Sequence, residues 1–113
     1  MCMKIRKKDI IRINKGFGGN LRNEASLDFA INIQDNKKLG EYKKLAYLWR
    51  AILVDHVFSD GNKRTAVFIA LAFAEQYNKT TNDQLLMHHI HSIASKNVNE
   101  IRNIELRLRN AIH

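Results

Sequence analysis

One stretch of this sequence gathers side chains able to do group-transfer chemistry: His56-Val57-Phe58-Ser59-Asp60-Gly61-Asn62-Lys63-Arg64-Thr65-Ala66. A glycine-containing loop here runs into the start of a strongly apolar segment that reads as a helix. Helix N-termini carry unpaired backbone N–H groups and the positive end of the helix dipole. Such a turn suits a phosphate. Lys63 and Arg64 add two positive charges at the same point, and the Gly61-Asn62 backbone supplies the turn itself. Asp60 offers a hard carboxylate suited to Mg²⁺, the usual companion of nucleotide phosphates. His56, just ahead of the loop, can take a proton from a hydroxyl near neutral pH. Anion cradle, metal carboxylate and base together are what phosphoryl or nucleotidyl transfer requires.

Taken singly, each feature has an ordinary explanation. A histidine after an apolar helix is usually structural or a cap, and Asp-Gly-Asn is usually only a turn. Phe58 reads as an apolar plug that anchors the loop, and Ser59 as incidental. Lys63 and Arg64 sit against the helix dipole, at a cost of roughly 0.3–1 kcal/mol each that a bound anion would offset. The order and spacing of the set carry more weight than any member.

The elements that must position these residues read as helices. The chain has no proline, and its five glycines are confined to Gly16, Gly18, Gly19, Gly40 and Gly61. That pattern predicts long helices with a few marked breaks. Residues 4–14 are rich in isoleucine and fit a helix or a strand, with helix favoured; Gly16 to Asn20 is a loop. A second helix spans about Asn23 to Ile33, with Asn23 as N-cap. Gln34 to Gly40 is a polar connector. A third helix, about Glu41 to Asp55, carries Tyr42, Leu45, Ala46, Trp49, Ile52 and Leu53 at three- and four-residue steps. The fourth, about 63–77, contains the unbroken apolar run Ala66 to Ala74 and is expected to be buried all round as the central helix. A fifth runs from Asn82 to about Ser95 and a sixth from about Asn99 to Ile112, where Glu105 and Arg109 can pair across one turn. The fold class is all-α, a helical bundle around helix 63–77.

Bulk properties fit one domain over residues 1–113. With 45% apolar and 27% charged residues, the 113-residue chain has a globular composition and can bury one modest core. Lys plus Arg number 19 against 11 acids, a formal net charge of +8, which suits phosphate ligands, nucleic acid or an acidic partner. The densest basic cluster, Lys4 to Lys8, reads as solvated surface. The lone cysteine, Cys2, rules out a disulfide framework and a cysteine metal cluster. The N-terminus lacks a signal peptide's apolar stretch, and Ala66 to Ala74 is too short to span a bilayer. A cytoplasmic location, without membrane association, is the expectation.

The segment His-x-Phe-x-Asp-Gly-Asn-Lys-Arg-Thr-Ala resembles the signature of the Fic/Doc superfamily in its death-on-curing toxin form. Gly18-Gly19-Asn20-Leu21-Arg22-Asn23-Glu24-Ala25-Ser26-Leu27-Asp28-Phe29-Ala30 is similar to the glycine-arginine-acid stretch near the start of Doc-like proteins. The resemblance implies that His56 is the general base, Asp60 holds Mg²⁺, Gly61 and Asn62 form the anion nest, Lys63 and Arg64 contact phosphates, and Phe58 anchors the loop. It implies ATP and Mg²⁺ as cofactors. Adenylyl-transferring Fic proteins usually have glycine where Lys63 stands and a second arginine where Val67 stands. Lysine in the nest is similar to the Doc-type kinases, which transfer the γ-phosphate, with translation elongation factor Tu as target type. The resemblance thus implies a toxin kinase restrained by a separate antitoxin protein, since no inhibitory Ser/Thr-x-x-x-Glu-Gly/Asn helix is found. Nucleic acid is not required.

Two departures and two rivals complete the expectation. Relatives usually carry a longer stretch before the third helix, forming a hairpin flap that clamps the target; residues 34–40 are too short for one. A protein adenylyltransferase is the nearest rival. A Fic-fold module with weakened chemistry, binding nucleotide, nucleic acid or a partner protein, is the rival of another class. Elsewhere, Gly16 to Asn20 lacks the Gly-Lys-Ser/Thr of a phosphate loop. His88, His89 and His91 lack a carboxylate or cysteine at ligand spacing and read as a partly solvated face. Arg102, Arg107 and Arg109 read as surface charge.

Overall fold

The computed structural model describes residues 4–113; Cys2 lies outside them. The helices are α1 (Lys7–Lys15), α2 (Glu24–Asn32), α3 (Glu41–Leu53), α4 (Asn62–Gln76), α5 (Asp83–Lys96) and α6 (Ile101–Ala111), with a single 3₁₀ turn at Ile33–Asp35. The fold is all-α: among the described residues extended pairing is limited to two isolated antiparallel bridges, Leu21 with Phe58 and Thr81 with Ile112. No described helix is long and apolar enough to cross a membrane.

Local chemistry explains the boundaries. The Asn23 side chain accepts the Ser26 N–H at 3.2 Å and the Asn82 side chain accepts the Leu85 N–H at 3.1 Å, so both asparagines cap their helices. The isoleucine-rich first segment resolves to a helix, with Ile10 and Asn14 buried on its inner face. α5 stops at Asn97, whose left-handed backbone returns its N–H to Ile93 O. The polar connector after α2 forms the 3₁₀ turn and a tight bend, and no hairpin flap is present.

The hub of the bundle is α3, and the expectation that helix 63–77 would be central and buried all round needs correction. α3 packs against α2, α4, α5 and α6, and its circumference is so enclosed that Lys44 is only 4% exposed. α4 packs against α1, α3 and α5 but leaves one side open, where Phe68 is 49% and Leu71 43% exposed. The reason is volume. The run Ala66 to Ala74 holds four alanines, which let neighbours approach closely on one side, while Phe68 and Leu71 fall on the side no described helix covers.

The core is one cluster centred on Trp49, Phe58, Phe73 and the α3 leucines, all buried. Trp49 Nε1–H donates to Ala66 O at 3.2 Å, fixing the first turns of α4 to the hub. The chain's last residues close the bundle: Tyr42 Oη–H donates to Ile112 O at 2.6 Å, and Arg109 lies 4.5 Å over the Tyr42 ring. Arg109 also pairs with Glu105 at 3.1 Å, as their spacing suggested. α1 and α2 are joined through Lys7, which reaches Glu24 at 2.6 Å and Asp28 at 2.7 Å. Part of the Lys4 to Lys8 cluster is therefore paired.

Arg107 differs from its expected role as free surface charge. It bridges α5 and α6, donating to Ser92 Oγ at 3.1 Å and lying 3.3 Å from His89 Nδ1, whose Nε2 is 3.4 Å from Asn110 Oδ1. Neutral His89 satisfies this arrangement, with Nδ1 accepting from Arg107 and Nε2–H donating to Asn110. Burial pushes its pKa down from 6.5, Arg107 and His88 push the same way, and the Asn110 bond opposes them. A base whose folded pKa is depressed stabilises the fold above its unfolded pKa, and that contribution is lost as pH falls. Thermal unfolding should thus show a lower Tm at pH 5 than at pH 7.5, with a smaller difference in His89→Gln; equal differences in the two proteins would remove His89 as the cause.

Candidate active site

The link between α3 and α4 builds the site. After Leu53 the chain reverses at His56, which adopts a left-handed φ of 52°, and Val57 N–H returns to Ala51 O at 3.2 Å. A side chain in that conformation costs about 1–2 kcal/mol, so the surroundings must impose it. Those surroundings are the strap 20–23. Arg22 and Asn23 N–H groups donate to Val57 O at 2.7 and 3.0 Å, and Ser59 N–H donates to Asn20 O at 2.9 Å. Phe58 is buried at 1% exposure, within the core cluster. Ser59, expected to be incidental, accepts the Asn20 N–H on its Oγ at 3.0 Å and so ties the loop to the strap.

The loop then closes on itself. Asn62 Oδ1 accepts the Phe58 N–H at 3.2 Å while its Nδ2 donates to Phe58 O at 2.8 Å. The Asn62 side chain is thus a brace that holds the turn's shape. Gly61 takes a left-handed φ of 72°, and a Cβ there would stand 2.9 Å from Phe17 Cβ, so only glycine fits without strain. Asn14, wholly buried, reaches across from α1: its Nδ2 donates to Asp60 O at 2.8 Å and Thr65 Oγ1 at 3.1 Å. Thr65 Oγ1 in turn donates to Gly61 O at 2.8 Å. Gly19 packs so closely on Asn14 and Asp60 O that any Cβ would collide with both.

Sequence reasoning missed Asn14, Gly19 and Thr65 as the scaffold of this loop. The available signal was a polar residue four positions after Ile10 on the inner face of α1. Asn14 Oδ1 is buried without a partner, the one such side-chain atom among the described residues.

The expected functional residues come together in one open cleft of about 830 Å³, lined by His56, Asp60, Gly61, Asn62, Lys63 and Arg64. The opposite wall, His91, Ala94 and Ser95 of α5, was not anticipated, because His91 was read as solvated surface. Asp60 is the sole acid among the lining residues. The amide groups are unequally available. Gly61 N–H already donates to Asp60 Oδ1 at 2.7 Å, whereas those of Asn62, Lys63 and Arg64 have no acceptor among the described residues, as expected for a first helical turn. His56 is exposed, and its imidazole makes no hydrogen bond to another described residue. Among the described residues no three histidine, cysteine or acidic side chains converge to hold a metal. One carboxylate with a free oxygen suits Mg²⁺ shared with phosphate oxygens and water.

The model of the Fic/DOC family matches residues 5–74, more than half of the chain. The chain belongs to the Fic/DOC family. The matched residues run from Ile5 into α4 as far as Ala74, so they include the strap and the loop 56–61, while α5 and α6 lie beyond them. A search of curated proteins and a search of solved structures each returned no match.

The Fic/DOC loop should be sensitive to its scaffold. Asn14→Ala should lower unfolding free energy by about 1–3 kcal/mol, the cost of stranding buried partners. Asn14→Asp should cost more, since its carboxylate would face Asp60 O. Denaturant titration measures both, and faster amide exchange confined to residues 58–65 would locate the effect.

Proposed function

We propose that this Fic/DOC protein binds Mg²⁺-ATP in the cleft and transfers the terminal phosphate to a serine or threonine hydroxyl of another protein. The observation that carries the reading is the convergence of His56, Asp60, Lys63 and Arg64 on one cleft at the N-terminus of α4. The free amides of Asn62, Lys63 and Arg64, with the two cationic side chains, would receive the phosphate oxygens. Asp60 would hold Mg²⁺ through its free oxygen, and that ion would supply charge neutralisation across the phosphates. His56 would take the proton as the hydroxyl oxygen bonds to the γ-phosphorus and the bond from that phosphorus to the bridging oxygen of ADP breaks. His56 lines this cleft on a left-handed backbone, which would give its imidazole a rigid support.

Lysine at position 63, in place of the glycine usual in adenylyl-transferring relatives, favours transfer of the γ-phosphate over that of AMP. In this reading the chain is a Doc-type toxin acting in the cytoplasm, with translation elongation factor Tu as target type and a separate antitoxin as its restraint. A second reading, a binding module with weakened chemistry, draws support from the bond between Asp60 and the Gly61 N–H and from the missing flap.

Labelled ATP separates the readings. With a cell extract, γ-label should enter a protein band, and His56→Ala should reduce it at least about a hundredfold. Label entering only from the α-phosphate would identify adenylylation. No transfer of either label, with wild type and His56→Ala alike, would leave the binding module. Expression should also slow growth, and Asp60→Ala should relieve it; equal growth with both would contradict a toxin.

A further inference from the structure

The open side of α4 carries an ordered pattern. Arg64, Phe68, Leu71 and Glu75 follow one another at i, i+4, i+7 and i+11. At about 100° per residue they fall within an arc of about 60°. All four are exposed, Phe68 at 49% and Leu71 at 43%. Half-buried Val67 and exposed Ala72 border them. α4 packs against α1, α3 and α5, and none of these covers the strip. Contiguous exposed apolar surface of this kind marks a place for a partner.

The strip is mirrored about its own middle. Counted from the point between Ile69 and Ala70, Phe68 and Leu71 stand at equal distances, as do Val67 and Ala72, and Arg64 and Glu75. The inner pairs match apolar with apolar, and the outer pair matches a cation with an anion. Neither Arg64 nor Glu75 has an ion pair among the described residues. Such a surface complements itself turned end over end. In an isologous two-fold contact, residue i of one copy meets residue j of the other, and j meets i. Two antiparallel α4 helices would set Phe68 against Leu71 of the second copy and Arg64 against Glu75 of the second copy, each contact occurring twice. Parallel pairing would oppose like charges and align the two helix dipoles.

We infer that the exposed face of α4 binds a second copy of this chain, as an antiparallel two-fold pair centred between Ile69 and Ala70. The strip is short, so the pair is reversible. The net charge of +8 on each copy opposes approach, and salt near physiological strength screens that repulsion. Arg64 also lines the cleft, so the pair and an anion there would share one guanidinium, and self-association is measured without nucleotide.

Sedimentation velocity over a concentration series up to about 1 mM tests the pairing. Wild type should pass from monomer to dimer. Glu75→Arg, Arg64→Glu and Leu71→Asp should each weaken self-association about tenfold or more, because each change enters the contact twice. An equimolar mixture of Glu75→Arg and Arg64→Glu should regain the dimer, since every mixed pair then sets opposite charges together. Leu71→Asp mixed with either should not. A wild type that stays monomeric throughout overturns the inference. A dimer unaffected by all three substitutions places the contact on another face and overturns it too. Charge variants that stay apart when mixed overturn the antiparallel register. All three substituted residues are exposed, and matching circular dichroism spectra verify that the variants fold.

Discussion

Everything at the cleft depends on how the chain is held between the end of α3 and the start of α4. That link has little regular structure of its own. Its backbone groups are satisfied by the strap 20–23, by the Asn62 side chain and by Asn14, while Phe58 is driven into the core. Hydrogen bonding supplies direction and apolar burial supplies most of the driving force.

Two costs are concentrated in the same few residues. Lys63 and Arg64 stand at the positive end of a helix, and His56 has a left-handed backbone. A turn optimised for stability alone would place acidic residues in the first helical turn. α4 has none there, and the Asp60 carboxylate partly compensates by accepting the Gly61 N–H. On the proposed reading that bond joins two roles in one side chain, since the oxygen that quiets the turn is part of the one carboxylate that lines the cleft among the described residues. An anion arriving at the nest and a cation arriving at Asp60 would therefore be coupled through the Gly61 amide.

Much of this was legible in the sequence because the signals were local. Helix caps at Asn23 and Asn82, the glycine breaks and the spacing of the α3 apolar residues depend on neighbours a few positions away. The loop 56–64 was legible for the same reason. Burial was harder to read. A run of nine apolar residues in α4 suggests enclosure, yet which helix the others surround depends on the rival claim of α3, whose packing partners range from α2 to α6. The α5 wall was also hidden, because whether His91 meets solvent or a cleft depends on how two helices distant along the chain pack. Asn14 falls between these cases: its place on an inner face was visible, but its partners, Asp60 and Thr65, are joined to it only by the tertiary fold.

The left-handed backbone at His56 has one further implication. Glycine would occupy that conformation at little cost, and asparagine more easily than most residues. A bulky imidazole there is the less comfortable choice, and as an exposed ring without an internal partner it repays nothing to the folded state. Thermodynamic selection acting on the fold alone would drift toward the smaller residues. On the proposed reading, a modest loss of robustness at this position is the counterpart of what a solvent-facing nitrogen can reach.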